Sequence, residues 1–208
     1  MGVSDAKYAF TMVDIGAEGR ASDGGVFENS LMGKKLIAGK LNIPQPEPLP
    51  DYNEPLPYVL LGEAFALSNF MLRPYPRSRQ LDLKKKVFNY RLSIPRRCVE
   101  SSFGIMTSVW RILRRPLNTS LETNTLIAKG IAALHNFFIK FDDHDYNAQC
   151  KEYSKKDDDL RWTDFEPNPD ITVINKNKDV TMRNHFARYF MTTGAFEPQW
   201  RKALNADF

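Results

Sequence analysis

The chain has 208 residues, 42% of them hydrophobic and 12% aromatic, which is enough for a folded core and excludes wholesale disorder. Two cysteines, Cys98 and Cys150, exclude a disulfide framework and point to a reducing, intracellular setting; no apolar run approaches the roughly 20 residues needed to cross a bilayer, and the opening residues lack a signal-peptide pattern, so a soluble protein away from membranes is expected. The formal net charge of +4 conceals a segregation.

In chain order, Ala6 to Ile15 places Tyr8, Phe10 and Met12 on one side, the alternation of a half-buried strand or hairpin. Gly16, Gly19, Gly24 and Gly25 then mark a loop that contains Asp23, and Val26 to Leu36 suits a short helix. Pro44 to Pro57 holds six prolines and reads as an extended, structureless connection. Tyr58 to Leu61, ending at Gly62, reads as a strand buried on both faces.

A helix is expected to start near Ser93 and Pro95, with Val99, Phe103, Met106, Trp110 and Leu113 as its apolar stripe. A second starts near Thr119, with Glu122 completing a capping box and a stripe of Ile127, Ile131, Leu134, Phe138 and Phe141. An acidic stretch, a short apolar run at Ile171 to Ile174 and a C-terminal segment bearing Phe186, Tyr189, Phe190 and Trp200 complete the chain. Strands early and helices late give an α/β or α+β class.

From Arg73 to Arg115 twelve Lys and Arg face only Asp82 and Glu100, a local excess of ten positive charges. From Asp142 to Asp170 ten acids face four bases. The basic block is the footprint of a phosphate-backbone binder or, equally, a solvated surface; the acidic stretch is most simply a solvated loop. Asp23, Glu63 and Glu100 stand at a loop, a strand end and a facing helix, places from which carboxylates converge on a divalent metal. Each also has a plainer role: Asp23 as a turn residue, Glu63 as a helix start, Glu100 as an ion-pair partner of Arg96 or Arg97 at helical spacing. His135 reads as a buried, hydrogen-bonded histidine, and Trp110 and Phe103 as core.

Five phrases, Val13 to Asp23, Tyr58 to Phe65, Phe88 to Ser93, Val99 to Gly104 and Leu134 to Phe137, occur in an order that resembles the nuclease domain of PIF/Harbinger-type transposases, of the DDE superfamily. The resemblance implies a ribonuclease-H-like α/β fold, a mixed sheet flanked by helices, over residues 1–141, with 142–208 as an acidic loop and C-terminal extension. It implies a nuclear enzyme that cuts and rejoins DNA with Mg or Mn held by acids: Asp23 and Glu100 match family acids, and Glu63 is the stand-in for an Asp that the family carries after the glycine. Arg91, Arg96, Arg97, Arg111, Arg114 and Arg115 are the expected DNA-facing cations, and a Myb/SANT-like DNA-binding protein the expected partner. Two departures accompany the match. No Asp-Gly-x-His-like phrase with the first family aspartate is present, so the first strand is expected to be missing through truncation; and Glu63 directly follows Gly62, so catalysis is expected to be impaired. Pro95, where a helix former is usual, is expected to delay the helix that carries Glu100.

Overall fold

The structure, a computed structural model, describes residues 1–17, 22–62, 65, 67–76, 81–141, 146, 148, 150, 152 and 176–205. Among them the chain is mixed α/β, with six α-helices, one 3-10 helix and three two-stranded ladders. Two units emerge: one from the described parts of Met1–Ser22, Ser30–Met32 and Pro95–Leu160, the other from those of Asp23–Asn29, Gly33–Ile94 and Arg161–Phe208.

The first unit opens with an antiparallel hairpin of β1 (Gly2–Ser4) and β2 (Phe10–Val13). The turn between them is built by Asp5, whose carboxylate accepts the backbone N–H of Lys7 at 2.8 Å and of Ala9 at 3.0 Å. Tyr8 lies in that turn at φ 68°, so it is not a strand residue as its alternation with Phe10 suggests. Phe10 is buried, and its backbone is held from across the unit: its N–H donates to Asn136 Oδ1 at 2.8 Å and its carbonyl accepts from Asn136 Nδ2 at 2.7 Å.

Asn136 lies on α4 (Leu121–Lys140), whose N-cap is Ser120, the side chain accepting from the Thr123 N–H at 3.1 Å. The cap falls one residue after the expected Thr119, whose hydroxyl instead bonds Asn124 Oδ1. The buried face of α4 is Ile131, Ala132 and His135, with Ile127 and Phe138 half-buried. Leu134 and Phe141, expected on that stripe, are 47% and 63% exposed. Two polar side chains, His135 and Asn136, turn inward to bond the segment around β2, and that rotates the apolar stripe partly out of the core. Phe10, Met106, Ile131 and Ala132 form one core cluster; Ile105, Tyr146 and Cys150 form another with Trp110 and Phe138 packed on it. Trp110 is core as expected, while Phe103 is partly exposed, its ring 5.0 Å from that of Phe10.

Helix α3 (Leu83–Val109) begins well before Ser93, contrary to expectation, and carries Pro95 inside it. Asp82 caps it, accepting the Lys85 N–H at 2.8 Å, and Val87, Phe88, Tyr90 and Leu92 bury its first turns. Ser93 is not a cap; its hydroxyl donates to the Tyr90 carbonyl at 2.7 Å. Pro95 removes one helical donor, normally a cost of about 3 kcal/mol or more, yet the buried side chains before it keep the helix continuous. Residues of α3 up to Ile94 belong to the second unit and those from Pro95 to the first. A 3-10 turn at Arg111–Arg114 follows it.

In the second unit α1 (Asp23–Asn29) occupies the region expected to be a glycine loop, so Gly24 and Gly25 are helical and Asp23 is the first helical residue. An acid there complements the helix N-terminus, and Phe27 is buried with its ring 5.2 Å from that of Phe65. The single expected helix from Val26 to Leu36 breaks at Ser30, and α2 (Leu31–Ile37) follows. The proline-rich stretch is not structureless. It folds into a short antiparallel ladder of β3 (Glu47–Pro48) and β4 (Pro55–Leu56), where two-residue strands tolerate the missing N–H groups, and Leu56 is buried.

Next come β5 (Leu60–Leu61) and β6 (Met71–Leu72), paired in parallel. The expected strand after Tyr58 therefore exists, but Leu60 and Leu61 are half-buried and Tyr58 is exposed, its hydroxyl donating to Glu47 Oε2 at 3.1 Å. Met71 and Leu72 take the interior. Finally α5 (Lys176–Tyr189) and α6 (Pro198–Asn205) close this unit. Leu67, Leu72, Phe88 and Leu92 share a core with Met182 and Ala187, and Val87 and Tyr90 with Ala203, Phe196 and Trp200. Asn89 repeats what Asn136 does elsewhere: it accepts the Tyr75 N–H at 2.7 Å and donates to the Tyr75 carbonyl at 3.0 Å, both buried. The acidic stretch lies outside the described residues except for Tyr146, Ala148, Cys150 and Glu152, and the run Ile171 to Ile174 lies outside them entirely.

Candidate functional site

The helix that carries the basic block uses its charges in different ways. Glu100 is one helical turn after Arg96, and the two meet at 2.9 Å, with side chains 49% and 22% exposed. This is the i,i+4 pairing anticipated from spacing, and it occupies the one expected acid on α3. Arg97 is half-buried on the following residue. Arg114 donates to the carbonyls of Thr107 at 2.9 Å and Ser108 at 3.3 Å, satisfying groups that the end of α3 leaves without intrahelical donors. Arg111 and Arg115 are exposed.

Arg91 sits differently. Its guanidinium lies 4.5 Å from the Phe190 ring centre and 4.6 Å from that of Phe196, and donates to the Gly194 carbonyl at 3.0 Å and Gln199 Oε1 at 3.3 Å. Desolvation holds it below the ordinary arginine range, opposed by Tyr189 and Tyr90. It fastens the Tyr189–Gln199 region to the first half of α3.

Asp23 is exposed at the head of α1 and belongs to the second unit; Glu100 belongs to the first; Glu63 lies outside the described residues. Among the described residues no three or more His, Cys, Asp or Glu side chains gather as a metal ion would require.

His135 is fully buried, as expected. Its Nε2 donates to the Tyr8 carbonyl at 2.7 Å, an acceptor only, which leaves Nδ1 to accept the Tyr146 hydroxyl. Burial lowers its pKa, partly offset by the Tyr8 bond and Asp5, and burial raises those of Tyr146 and Cys150. A neutral imidazole locked at both nitrogens is a structural strut.

Two polar groupings in the second unit had no sequence signal strong enough to single them out. In one, His185 Nδ1 lies 2.9 Å from Glu54 Oε2 and 3.0 Å from the Tyr52 hydroxyl, which also accepts from Arg188 at 2.9 Å; this ties the proline-rich segment to α5. In the other, Arg183 covers the ring of Tyr75. The partners lie more than a hundred residues apart in sequence, which no local pattern reports.

Residues 1–136, the greater part of the chain, match the family model described as DDE superfamily endonuclease, and the chain belongs to that family. Its nucleases act on DNA, generally with a divalent metal, and the membership makes this a transposase-type nuclease domain. No curated protein and no solved structure matches the chain. Among the described residues no helix is long and apolar enough to cross a membrane.

Proposed function

We propose that the chain is a PIF/Harbinger-type transposase-derived endonuclease, ribonuclease-H-like in ancestry, that binds DNA in the nucleus but is impaired in metal-dependent strand cleavage. The observation that carries the reading is the match of residues 1–136 to the DDE superfamily endonuclease family, beside which the acid on α3, Glu100, meets Arg96 at 2.9 Å on the surface. The direct succession Gly62-Glu63 supports it: the aspartate that the family carries between them is absent, and Glu63 as its stand-in would carry a carboxylate one methylene further out. Asp23, Glu63 and Glu100 are the acids assigned to Mg or Mn in this reading. Arg97, Arg111 and Arg115 are assigned to the backbone of DNA, and a Myb/SANT-like protein is the proposed companion. Residues 1–141 are assigned to the nuclease portion.

Nicking of supercoiled plasmid in Mg or Mn, beside salt-dependent binding to duplex DNA, tests both halves. The expected result is binding that weakens steeply with salt and at most slow nicking that Glu100→Gln abolishes. Nicking no faster than that variant, with binding intact, selects the second reading, a non-catalytic DNA- or protein-binding relic. Fast, Glu100-dependent cleavage overturns the impairment, and no affinity at low salt overturns DNA binding.

A further inference from the structure

The face that α4 turns away from its own core carries a continuous apolar row. Leu126, Gly130, Ala133, Phe137 and Phe141 recur at i, i+4, i+7, i+11 and i+15, all exposed, opposite the buried Ile131, Ala132 and His135. Leu126 is 61% exposed and Phe137 52%, and the rings of Phe137 and Phe141 lie 4.5 Å apart. Single apolar side chains are ordinary on a surface, whereas a row four turns long that ends in two aromatic rings has the make-up of an interface core. A Cβ placed on Gly130 would meet nothing within 4 Å, and Ala133 is short, so the middle of the row is open to another backbone. Charge follows one edge of the row: Glu122 near its start, Lys129 midway and Lys140 near its end, all exposed. Among the described residues no ion pair within the chain engages any of the three, and Lys140 Nζ lies 5.7 Å from the Phe141 ring centre.

This pattern is complementary to itself when reversed. If two α4 helices run antiparallel about a twofold axis with Gly130 of one facing Ala133 of the other, Leu126 meets Phe137 of the other copy. In the same register Glu122 meets Lys140 of the other copy beside Phe141, and each contact occurs twice. A parallel pairing would set Glu122 on Glu122 and each lysine on itself, which is repulsive. We propose that the exposed face of α4 is a homodimer interface, in which two copies of this chain pair antiparallel along that row. Two helices of this length make a small specific interface, so the dimer forms at roughly micromolar concentration. The pairing is independent of DNA binding, because it uses none of the cations assigned to DNA.

The test is sedimentation of the full chain over a range of concentrations, with carbodiimide coupling of the same samples and peptide mass spectrometry. Within one helix Glu122 and Lys140 stand about 27 Å apart at 1.5 Å per residue, too far for a direct amide bond, so such a bond reports two copies. The expected result is a concentration-dependent dimer that yields the Glu122–Lys140 amide. Glu122→Lys alone should weaken the dimer roughly tenfold, and combining it with Lys140→Glu should restore it, since the charges trade places in an unchanged register. Phe137→Lys, a change at an exposed position, should leave the chain folded by circular dichroism but monomeric. A chain that stays monomeric up to about 100 μM overturns the proposal. So does a dimer that lacks the amide or survives Phe137→Lys, since its contact would lie on another face.

Discussion

Arg91 offers the sharpest test of how the basic block is used. Counted along the sequence it is one more cation for DNA; in the structure it lies between Phe190 and Phe196 and bonds Gly194 and Gln199. A hydrogen bond from a charged donor contributes about 1.5–3 kcal/mol, and a partly desolvated cation–π contact about 0.5–2. The bond to Gln199 is long at 3.3 Å, water reaches part of the side chain and the contacts are not additive, so Arg91→Ala should lose about 3 kcal/mol. For a chain of this length that corresponds to a fall of roughly 6–12 °C in Tm. Arg91→Lys keeps the charge but not the planar fork and should lose about 2 kcal/mol. Urea denaturation followed by the fluorescence of Trp200, which packs in the same cluster, reads the change where it occurs. Arg91→Ala within about 0.5 kcal/mol of the parent, the scatter of ordinary surface substitutions, would refute the structural assignment.

Protonation of His135 supplies a pH prediction. Its pKa is lowered in the folded chain by burial, so the unfolded state binds the proton more tightly; stability is complete above the ordinary histidine value near 6.5 and falls as the pH drops below it. Thermal scans from pH 7.5 to 5 should show this decline, and its persistence unchanged in His135→Gln would assign it elsewhere. Asn89→Ala and Asn136→Ala each strand a backbone N–H and a carbonyl, at Tyr75 and Phe10, and each should cost about 2–4 kcal/mol in chemical denaturation; near-neutral values would mean that water replaces the clamps. A Cβ on Gly194 would overlap the Tyr189 ring, so Gly194→Ala should lower Tm by several degrees, and an unchanged melt would show that the ring moves aside freely.

These two asparagines also show which parts of the fold the sequence leaves silent, since no local pattern marks a side chain that clamps a distant backbone. Asn89 and Asn136 each lie on a helix beside a fully buried residue, Phe88 and His135, and each holds an extended segment distant in sequence. A helical stripe reports only the helix's own period. It therefore placed the α4 core near Ile131 but misassigned Leu134 and Phe141, because it carried no information about which polar residues would turn inward. Pro95 hid the first half of α3 for a similar reason: a local propensity argument cannot weigh the burial of Val87 and Phe88, both inaccessible to solvent, against one lost hydrogen bond. The Asp23 region read as a loop because two glycines are poor helix formers, and the burial of Phe27 is a tertiary fact. Of the acids, the Glu100 pairing was legible, because i,i+4 geometry is fixed by the helix alone.

The same division applies to charge. An excess of ten positive charges between Arg73 and Arg115 suggests a broad DNA-binding face, but the structure gives several of those charges other partners. Arg91 bonds the Tyr189–Gln199 region, Arg114 caps α3 and Arg96 faces Glu100. Each phosphate contact contributes about 0.9 to the slope of log affinity against log salt, so the slope counts cations that reach DNA and ignores those that do not. Arg111→Gln should lower the slope by about one, whereas Arg91→Lys, measured where the variant remains folded, should leave it unchanged. Equal losses from both would mean that Arg91 leaves its aromatic cradle on binding DNA, and the clamp would then be a latch that DNA competes for.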